Sequence, residues 1–508
     1  MGLLGIDIGT SGCKAAVFHS DGSCASVAYE EYDVSRTQPG WAELDSVAVW
    51  GAVQRTISRA ASGARGDPVR ALAVSSLGEA LVPVSRQRIV LGDAILNFDA
   101  RGASYLPELE AALDAVRLYE ITGNTLGNHY SLTKLMWLRD QAPRLYQQTD
   151  LLLPWGSFVS YMLGAEPVVD YSLANRTLLF DVGNAGWSEE LGCVAGLDLG
   201  KMPHVSASGT AIGVVSDVMA DALGLPRNVT VVTGAHDQCA NAVGAGATTE
   251  GLAMYGIGTY ACIVAPFAER RDARAMMAQG LNTEHHAAPG LYVTFMYNHG
   301  GSMLKWYRNT FAAVEHQRAL QAGRSVYPEL LAEMPAEPSG LVVLPHFALT
   351  GPPGFMSDSR GMVVGLTLET PRGAIAKGVL EGCTYYMRSC VEALPQTGIS
   401  IDGYRAVGGG SQSDAWVQLS ADILNAPIER PTVTEAGALG AAVLAGVGTG
   451  VFDSVEQGVE AMVRVERRFE PRSRHVPLYN EWYALYTSLW PRVGGFLAEV
   501  ARAQDALS

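Results

Sequence analysis

The sequence GIDIGTSGCKAAVF at residues 5–18 predicts two strands joined by a glycine-rich turn. Residues 3–8 have the composition of a buried strand, and residues 13–19 read as a second one. Because Gly9 and Gly12 carry no Cβ, the backbone N–H groups of the turn could approach a phosphate closely. Taken alone, the motif is explained at least as well by an ordinary glycine hairpin.

The polar residues in and beside this turn are types that bind nucleotide phosphates. Thr10 and Ser11 supply hydroxyl donors, and Lys14 supplies a positive charge. Asp7, near the end of the first strand, can hold a magnesium ion through water. The turn is therefore a candidate site for the phosphates of a nucleotide and their metal ion.

A second strand–turn–strand segment at residues 252–265 repeats this pattern just past the middle of the 508-residue chain. Ile257-Gly258-Thr259 takes the place of Ile8-Gly9-Thr10, each at the end of a strand. A repeat at half the chain length indicates two similar lobes, which we place at residues 1–245 and 246–508. Gly258 and Thr259 would then form a second phosphate loop, although a match of three residues can also arise by chance.

Asp237 stands between an apolar strand at residues 229–235 and the start of a predicted helix. A helix N-terminus favours the ionised form of a carboxyl group. The carboxylate could therefore accept the proton of a hydroxyl that is being phosphorylated. A purely structural role as a helix cap is the alternative.

A third glycine-rich segment, Gly408 to Gly410, follows a predicted strand and precedes a helix that opens near Asp414. A flat adenine ring could lie against this bare backbone, and a simple tight turn is the alternative. Other helices are predicted at residues 46–62, with Ser46 as the cap, and at residues 434–447, where small residues dominate. No low-complexity linker separates the lobes, so we expect them to pack against each other.

The composition and the missing motifs exclude several classes of function. A net charge of −15 argues against nucleic acids and anionic membranes as partners. The seven cysteines form no Cys-x-x-Cys pair and no signal peptide is recognised, so a soluble cytoplasmic protein is expected. The P-loop and protein-kinase motifs are absent. Gly256 to Ala261 fits G-x-G-x-x-A, but a strand instead of a helix follows, which argues against a nicotinamide enzyme.

Together these segments resemble the FGGY family of carbohydrate kinases, which have ribonuclease-H-like lobes of the actin-type ATPase fold. Matching motifs run along nearly the whole chain in the family's order. They are GIDIGTSGCKAAVF (5–18), Asp99-Ala100-Arg101, SLTKLMW (131–137), DYSLANRTLLFD (170–181), GAHDQCANAVGAG (234–246), YGIGTY (255–260), RGMVVGL (360–366), LEGCTYYMR (380–388), VGGGSQSDAWVQLSADIL (407–424) and EAGALGAAVLA (435–445).

The resemblance implies an α/β protein with two such lobes, an interlobe cleft, and ATP and magnesium as cofactors. It implies that Asp237 deprotonates the attacking hydroxyl, with Gln238 beside it, and that Asp7 positions the metal. The N-terminal lobe would carry the sugar and the first phosphate loop. The implied nucleotide-binding residues are Thr10, Ser11, Lys14, Gly258, Thr259, Gly300, Gly301, Gly409, Gly410 and Asp414. The implied sugar-binding residues are Leu77, Gly78, Glu79, Asp99, His129, Asp237 and Gln238.

The resemblance leaves the sugar itself open. D-Xylulose, converted to xylulose 5-phosphate, is the first choice, and another ketose, a polyol or a linear signalling sugar are the alternatives. Xylulose kinases of the family usually carry Met-His-Gly where this chain has Leu77-Gly78-Glu79, and His129 stands where an aromatic residue, Gly, Ser or Met is usual. A carboxylate at Glu79 suits an uncharged polyhydroxylated substrate. The alternative is that Glu79 faces solvent or pairs with a basic neighbour such as Arg101.

Two other readings compete with the kinase. A non-catalytic actin-type ATPase would need the phosphate loops but no base placed for a sugar, and a sugar-binding pseudo-kinase would have lost catalytic residues. The presence of Asp237 and Asp7 argues against both. The expected ligands are ATP and a small sugar, and the assembly considered beyond the monomer is a homodimer.

Overall fold

Two β-sheets dominate the structure, and helices pack on both faces of each. The structure is a computed structural model that describes residues 2–64, 66–348, 350–351, 354, 356 and 359–506. Within these ranges no helix combines the length and the apolar character that a membrane crossing requires.

The N-terminal half contains the first sheet together with short strands outside it. Its strands are β1 (Gly2–Ile8), β2 (Gly12–Phe18), β3 (Cys24–Glu31), β4 (Glu43–Leu44), β5 (Val69–Ser76), β6 (Leu81–Val84), β7 (Ala94–Ile95), β8 (Leu151–Pro154), β9 (Val168–Asp170), β10 (Phe180–Asp181), β11 (Gly186–Trp187), β12 (His204–Ser206), β13 (Ala211–Val214) and β14 (Thr230–His236). Its helices are α1 (Ser46–Gly63), α2 (Leu106–Ala112), α3 (Ala115–Thr122), α4 (Ser131–Gln141), α5 (Pro143–Gln148), α6 (Trp155–Leu163), α7 (Tyr171–Asn175), α8 (Glu189–Ala195), α9 (Asp217–Leu223) and α10 (Asp237–Ala245). The sheet order is β13-β14-β5-β1-β2-β3, with β14, β5 and β1 parallel.

The C-terminal half contains the second sheet together with two short strands outside it. Its strands are β15 (Gly251–Ile257), β16 (Tyr260–Phe267), β17 (Glu284–His285), β18 (Tyr292–His299), β19 (Val342–Leu344), β20 (Met362–Val364), β21 (Ile401–Val407), β22 (Ile428–Pro431) and β23 (Val465–Phe469). Its helices are α11 (Ala273–Ala278), α12 (Gly301–Phe311), α13 (Ala313–Gln321), α14 (Tyr327–Ala332), α15 (Arg372–Val391), α16 (Asp414–Leu424), α17 (Ala436–Gly448), α18 (Val455–Met462) and α19 (Val476–Asp505). The sheet order is β17-β18-β16-β15-β21-β22-β23.

The two sheets are built on the same plan, as the sequence repeat predicts. Strand β1 pairs antiparallel with β2 and parallel with β5, and β15 pairs antiparallel with β16 and parallel with β21. The tripeptides at residues 8–10 and 257–259 therefore lie at the ends of equivalent strands. The predicted boundary between residues 245 and 246 falls directly after α10.

Strand β1 places different residues on its two faces because side chains alternate along a strand. Leu4, Ile6 and Ile8 are buried in one apolar cluster with residues of α1 and α6. Leu3 is buried in another cluster, which contains residues of α10 and α17. Asp7 shares the face of Leu3, so its carboxylate points to the side where the two halves meet.

Helices α10 and α17 cross between the two sheets with almost no side-chain volume at the crossing. A Cβ on Gly244 would collide with the carbonyl of Ala436, and one on Gly440 would collide with the carbonyl of Ala240. A Cβ on Gly5 would collide in the same way with α17. Helix α17, although it comes late in the sequence, therefore packs directly on β1, β5 and β14 of the first sheet.

A second contact joins the halves at the edge of the second sheet. The backbone N–H of Thr283 donates to the carbonyl of Gly123 at 2.7 Å, and Tyr119 Oη donates to the carbonyl of Leu281 at 2.8 Å. The N–H of His285 donates to Asn175 Oδ1 at 2.9 Å. The segment around β17 is thus hydrogen-bonded to the N-terminal half.

The start of α1 differs from the prediction by one residue. Asp45 caps the helix, because its side chain accepts hydrogen bonds from the N–H groups of Val47 and Ala48 at 3.0 and 2.8 Å. Ser46 is the first helical residue and is buried. The prediction that Ser46 is the cap is wrong, because the aspartate before it is a cap of equal strength.

Candidate active site

Three parallel strands of the first sheet end at one edge and carry the acidic residues of the site. In the register of the sheet Asp7 lies opposite Ser75, and His236 lies opposite Ser76. Asp237 follows His236 directly and is the first residue of α10. The carboxyl ends of parallel strands form a crevice where ligands bind. This edge therefore brings Asp7 and Asp237 together, as the sequence predicts.

Asp237 has the electrostatics of a general base. Burial, together with the nearby carboxylates of Asp7 and Glu79, raises its pKa to about 7. Its Oδ1 lies 3.2 Å from Nε2 of His236, and 27% of the side chain is exposed. No described residue gives this oxygen a well-oriented hydrogen bond. Burial lowers the pKa of His236 to about 3, so its ring is neutral near pH 7 and leaves the Asp237 charge uncompensated.

Asp7 is the second acidic group of this edge. Burial raises its pKa, while a 2.7 Å hydrogen bond donated by Ser75 Oγ opposes the shift. Asp7 and Asp237 are neighbouring carboxylates with raised pKa values, and carboxylate oxygens are the hard ligands that Mg²⁺ prefers. The described residues contain no cluster of three or more His, Cys, Asp or Glu arranged for a metal. Magnesium commonly takes few protein ligands and completes its shell with water and phosphate oxygens, so the fit holds.

The first glycine turn follows β1 at this edge and is paired with the start of α17. The N–H of Gly9 donates to the carbonyl of Gly12 at 2.9 Å, so the turn is closed. Ser11 is exposed and Thr10 half-buried. Lys14 forms an ion pair with Glu435, the residue before α17. The expected phosphate contact of Lys14 would therefore require this ion pair to open or to be shared.

The remaining predicted nucleotide residues converge at one end of the second sheet. The N–H of Gly301 donates to the carbonyl of Gly258 at 2.8 Å, and the N–H of Gly300 donates to that of Thr259 at 3.1 Å. A Cβ on Gly410 would collide with Ile257, so the third glycine segment lies against the same strand end.

Beyond this glycine segment, Gly409 has open space where a Cβ would be. Asp414, which follows it, is half-exposed and paired with Arg430 at 2.8 Å and with Arg467. The structure therefore brings together the glycine-rich loops of the second half, as the sequence predicts, and places an ion-paired carboxylate beside them.

The segment after β5 holds the residues predicted for the sugar side of this edge. The N–H of Leu77 donates to the carbonyl of Ile8 at 2.9 Å, and the Leu77 side chain belongs to the core. Glu79 is buried, and its Oε1 accepts from Nε of Arg176 at 2.9 Å. Burial alone would raise the pKa of Glu79, but Arg176 holds it below the usual value. The alternative that Glu79 pairs with a basic neighbour is therefore met, with Arg176 as the partner. Arg101, the example given, pairs instead with Asp99 and Glu43.

Asp99 does not reach the cleft. Its side chain has no exposed surface, and it is bound by the Arg101 guanidinium at 2.6 Å and by the N–H of Ala42 at 2.6 Å. Arg101 also pairs with Glu43 and lies 3.8 Å from the ring centre of Trp41. This motif ties two loops together, and its geometry does not support the expected contact of Asp99 with a sugar.

A small cavity lies between the halves, close to His236. Residues that line it are Asn124, His129, Tyr130, Arg176, Asn282 and Tyr297. Burial lowers the pKa of His129 to about 4, so this ring is neutral. Phe295, also in the lining, packs its ring 5.5 Å from the ring of His236. The ring of Phe295 thus stands between the cavity and His236, the neighbour of Asp237, and the cavity offers amide, imidazole and phenol groups.

Sequence reasoning missed Arg176 and Glu284, the charged residues that complete this region. Arg176 lies in DYSLANRTLLFD at 170–181, so the segment was recognised but no role was assigned to its arginine. Glu284 lies outside every quoted motif, and its contact with Arg176 spans 108 residues. No local pattern announces such a pair.

Comparison with known proteins identifies the family of the chain. The N-terminal domain model of the FGGY family of carbohydrate kinases matches residues 2–244, and the C-terminal domain model matches residues 253–449. The chain is 26% identical to a xylulose kinase of Staphylococcus epidermidis over 505 residues, which covers 98% of each chain. It is 30% identical to a glycerol kinase of Paracidovorax citrulli over 493 residues, covering 92% of this chain and 95% of the other.

A solved structure shows the same fold over the full length. The crystal structure of xylulose kinase from Rhodospirillum rubrum matches with a TM-score of 0.85 and 26% identity, covering 98% of this chain and 100% of the other. The predicted family, the two-lobed fold and the enzyme class are thereby confirmed. The chain belongs to the FGGY family of carbohydrate kinases, phosphotransferases that use an alcohol group as acceptor.

Proposed function

We propose that the protein transfers the γ-phosphoryl group of ATP to a hydroxyl of an uncharged sugar or polyol, with D-xylulose as the first substrate to test. The observation that carries this proposal is Asp237. Its carboxylate stands at the strand edge beside the interlobe cavity, has a pKa raised to about 7, and has an oxygen without a well-oriented donor among the described residues. A base with a pKa near the working pH is the most effective acceptor for a hydroxyl proton.

The proposed reaction needs one proton transfer and one phosphoryl transfer. Asp237 accepts the proton of the attacking hydroxyl while the hydroxyl oxygen bonds to the γ-phosphorus. The bond from the γ-phosphorus to the bridging oxygen of ADP breaks, and ADP leaves with the electron pair. The ring of His236, with Nε2 3.2 Å from Oδ1 of Asp237, is neutral and therefore does not compensate the charge of the carboxylate.

The nucleotide side of the proposal rests on the glycine loops and on Asp7. Thr10 and Ser11 would address phosphates from the first sheet, and Gly258 with Thr259 would address them from the second. Asp7 would hold Mg²⁺, which when bound neutralises charge on the phosphates. Gly409 and Gly410 offer bare backbone for the adenine ring.

The sugar side favours an uncharged substrate. Asp237, Asp7 and Glu79 are carboxylates that interact electrostatically, and Arg176 is already paired with two glutamates. A substrate carboxylate would add a further negative charge, so sugar acids are expected to be rejected. Hydroxyl groups, in contrast, can donate to Glu79 and exchange hydrogen bonds with His129.

The decisive experiment is a turnover panel with Mg-ATP and pentuloses, hexuloses, polyols and gluconate, with ADP release and product mass as readouts. The Asp237→Asn variant serves as the matched control for contaminating kinases. Phosphorylation of D-xylulose at the highest kcat/KM supports the proposal in its specific form. Turnover of gluconate above all neutral compounds, or of none of the panel, contradicts it.

A polyol is the second candidate. Relatives named glycerol kinase are 28–30% identical to this chain, and relatives named xylulose kinase are 26% identical. The segment Leu77-Gly78-Glu79 also departs from the Met-His-Gly that is usual in xylulose kinases. The same panel separates the two candidates. A cytoplasmic location and a homodimer stay predictions.

A further inference from the structure

Arg176 joins two buried carboxylates that belong to different halves of the molecule. Its Nε and Nη2 both donate to Oε1 of Glu79, and its Nη1 donates to Oε1 of Glu284 at 2.6 Å. The exposed side-chain fractions are 11% for Arg176, 8% for Glu79 and 0% for Glu284. Glu79 follows β5 of the first sheet, whereas Glu284 begins β17 of the second.

Gly78 makes room for this arginine. A Cβ on Gly78 would stand 2.8 Å from Cγ of Arg176 and 3.1 Å from its Cβ, closer than carbon atoms normally approach. Both are atoms near the backbone of residue 176, so they cannot move aside as the end of a flexible chain could. The absence of a side chain at Gly78 therefore lets the Arg176 side chain pass close enough to pair with Glu79.

The two carboxylate oxygens of Glu79 differ in their contacts. Both bonds from Arg176 end on Oε1, and none of the described residues donates to Oε2. The titratable and charged groups that influence or are influenced by Glu79 include Arg176, His236, His129, Lys134 and Asp237. His236 and His129 are neutral near pH 7, so Arg176 supplies the largest opposing charge.

We propose that Arg176 is the positioning residue of the sugar site: it fixes Oε1 of an ionised Glu79, leaves Oε2 for a substrate hydroxyl, and does so while anchored on Glu284 of the other half. This inference rests on the proposed function and deepens it, because it names the residue that makes the site select uncharged polyhydroxylated substrates. The guanidinium is already paired with Glu79 and Glu284, so it orients the Glu79 carboxylate and is not available to bind an anionic substrate.

The test compares Arg176→Lys, Arg176→Gln and Glu284→Ala with the matched control Arg101→Lys. Arg101 is also a buried arginine paired with two carboxylates, but it lies outside the cleft. Michaelis constants for the best neutral substrate and for ATP are measured from pH 6 to 8, with thermal unfolding as a check of folding.

Arg176→Lys is expected to raise the sugar KM roughly tenfold or more, because lysine cannot reproduce the planar fork, with the KM for ATP within about twofold. In Arg176→Gln the ratio of variant to wild-type sugar KM is expected to grow as the pH falls, by up to about tenfold per unit, because buried Glu79 then takes up a proton. Glu284→Ala is expected to raise the sugar KM with no such pH dependence, since Arg176 still pairs with Glu79.

A sugar KM in Arg176→Lys equal to that of wild type and Arg101→Lys would overturn the inference while the proposed function stands. If Arg176→Gln does not fold, Arg176→Lys decides. An unchanged sugar KM in Glu284→Ala would overturn the anchoring across the halves. Failure of wild-type protein on the whole panel is a separate result, which removes the proposed function and this inference with it.

Discussion

Replacing Asp237 with asparagine should lower activity and, at the same time, raise stability at neutral pH. The folded-state pKa of about 7 lies well above the ordinary value of 3.8. The folded protein therefore binds this proton more tightly than the unfolded chain does. Between pH 4 and 7 the unfolded state loses the proton first, so the free energy of unfolding falls as the pH rises.

The size of this effect follows from the pKa difference. Each unit is worth about 1.4 kcal/mol, so the ionised carboxylate lowers the free energy of unfolding by up to about 4 kcal/mol at pH 8 relative to pH 4. Asparagine cannot ionise and removes this penalty. A purely structural role at the helix N-terminus predicts the opposite sign, a loss of about 0.3–1 kcal/mol in the variant, because the ionised carboxylate interacts favourably with the helix dipole.

The assay combines two measurements. Urea unfolding of the ligand-free enzyme is measured at pH 4.5 and pH 8, and steady-state kinetics are measured across the same pH range. Asp237→Asn should be more stable than wild type at pH 8 and nearly equal at pH 4.5. Its kcat should fall by about 10²–10⁴-fold, the usual contribution of a general base. Wild-type kcat should rise with pH and level off above about pH 7, while the variant should be flat. Near-wild-type turnover, or lower stability at pH 8, would return Asp237 to a structural role.

Three other perturbations test the rest of the site. Asp7→Asn should weaken Mg-dependent turnover more than sugar binding, because an amide is a poor magnesium ligand; Mg titrations of the rate beside sugar calorimetry measure this, and equal losses in both would contradict it. Glu79→Ala should raise the sugar KM about ten- to a hundredfold and leave the KM for ATP nearly unchanged, since a charged hydrogen bond is worth about 1.5–3 kcal/mol; an unchanged sugar KM would show that Glu79 does not contact the substrate. The two lobes are expected to close around bound ADP and sugar, since closure excludes water from the phosphoryl group. Small-angle scattering with both ligands should therefore give a smaller radius of gyration than the free protein; an identical profile at saturation would argue against a hinge.

Local patterns were enough to predict the strands and the position of Asp237 between a strand and a helix. The two glycine hairpins and the strand before Asp237 combine an apolar run with a turn or helix start, and neighbouring residues alone determine such features. The repeat at residues 8–10 and 257–259 predicted the two equivalent sheets for the same reason.

Partners that are distant in sequence were out of reach. Asp99 looks like a free carboxylate until the N–H of Ala42 and the stacked Arg101 are seen around it. Glu79 finds Arg176 across 97 residues, and Arg176 finds Glu284 across 108. Charge pairing depends on which side chains the fold brings within a few ångströms, and neither periodicity nor composition records that.

The packing of α17 on the first sheet affects how the chain can be made. Leu3, Ala71 and Val232 form the apolar face that α17 covers. During synthesis this face stays open until residues 436–448 leave the ribosome, about two hundred residues after the last strand of the sheet. At about 5–20 residues per second that interval lasts roughly 10–40 s. A fragment that ends at residue 245 would expose this apolar face and should aggregate. During synthesis of the full chain, chaperones are expected to bind mainly at the stage before α17 emerges.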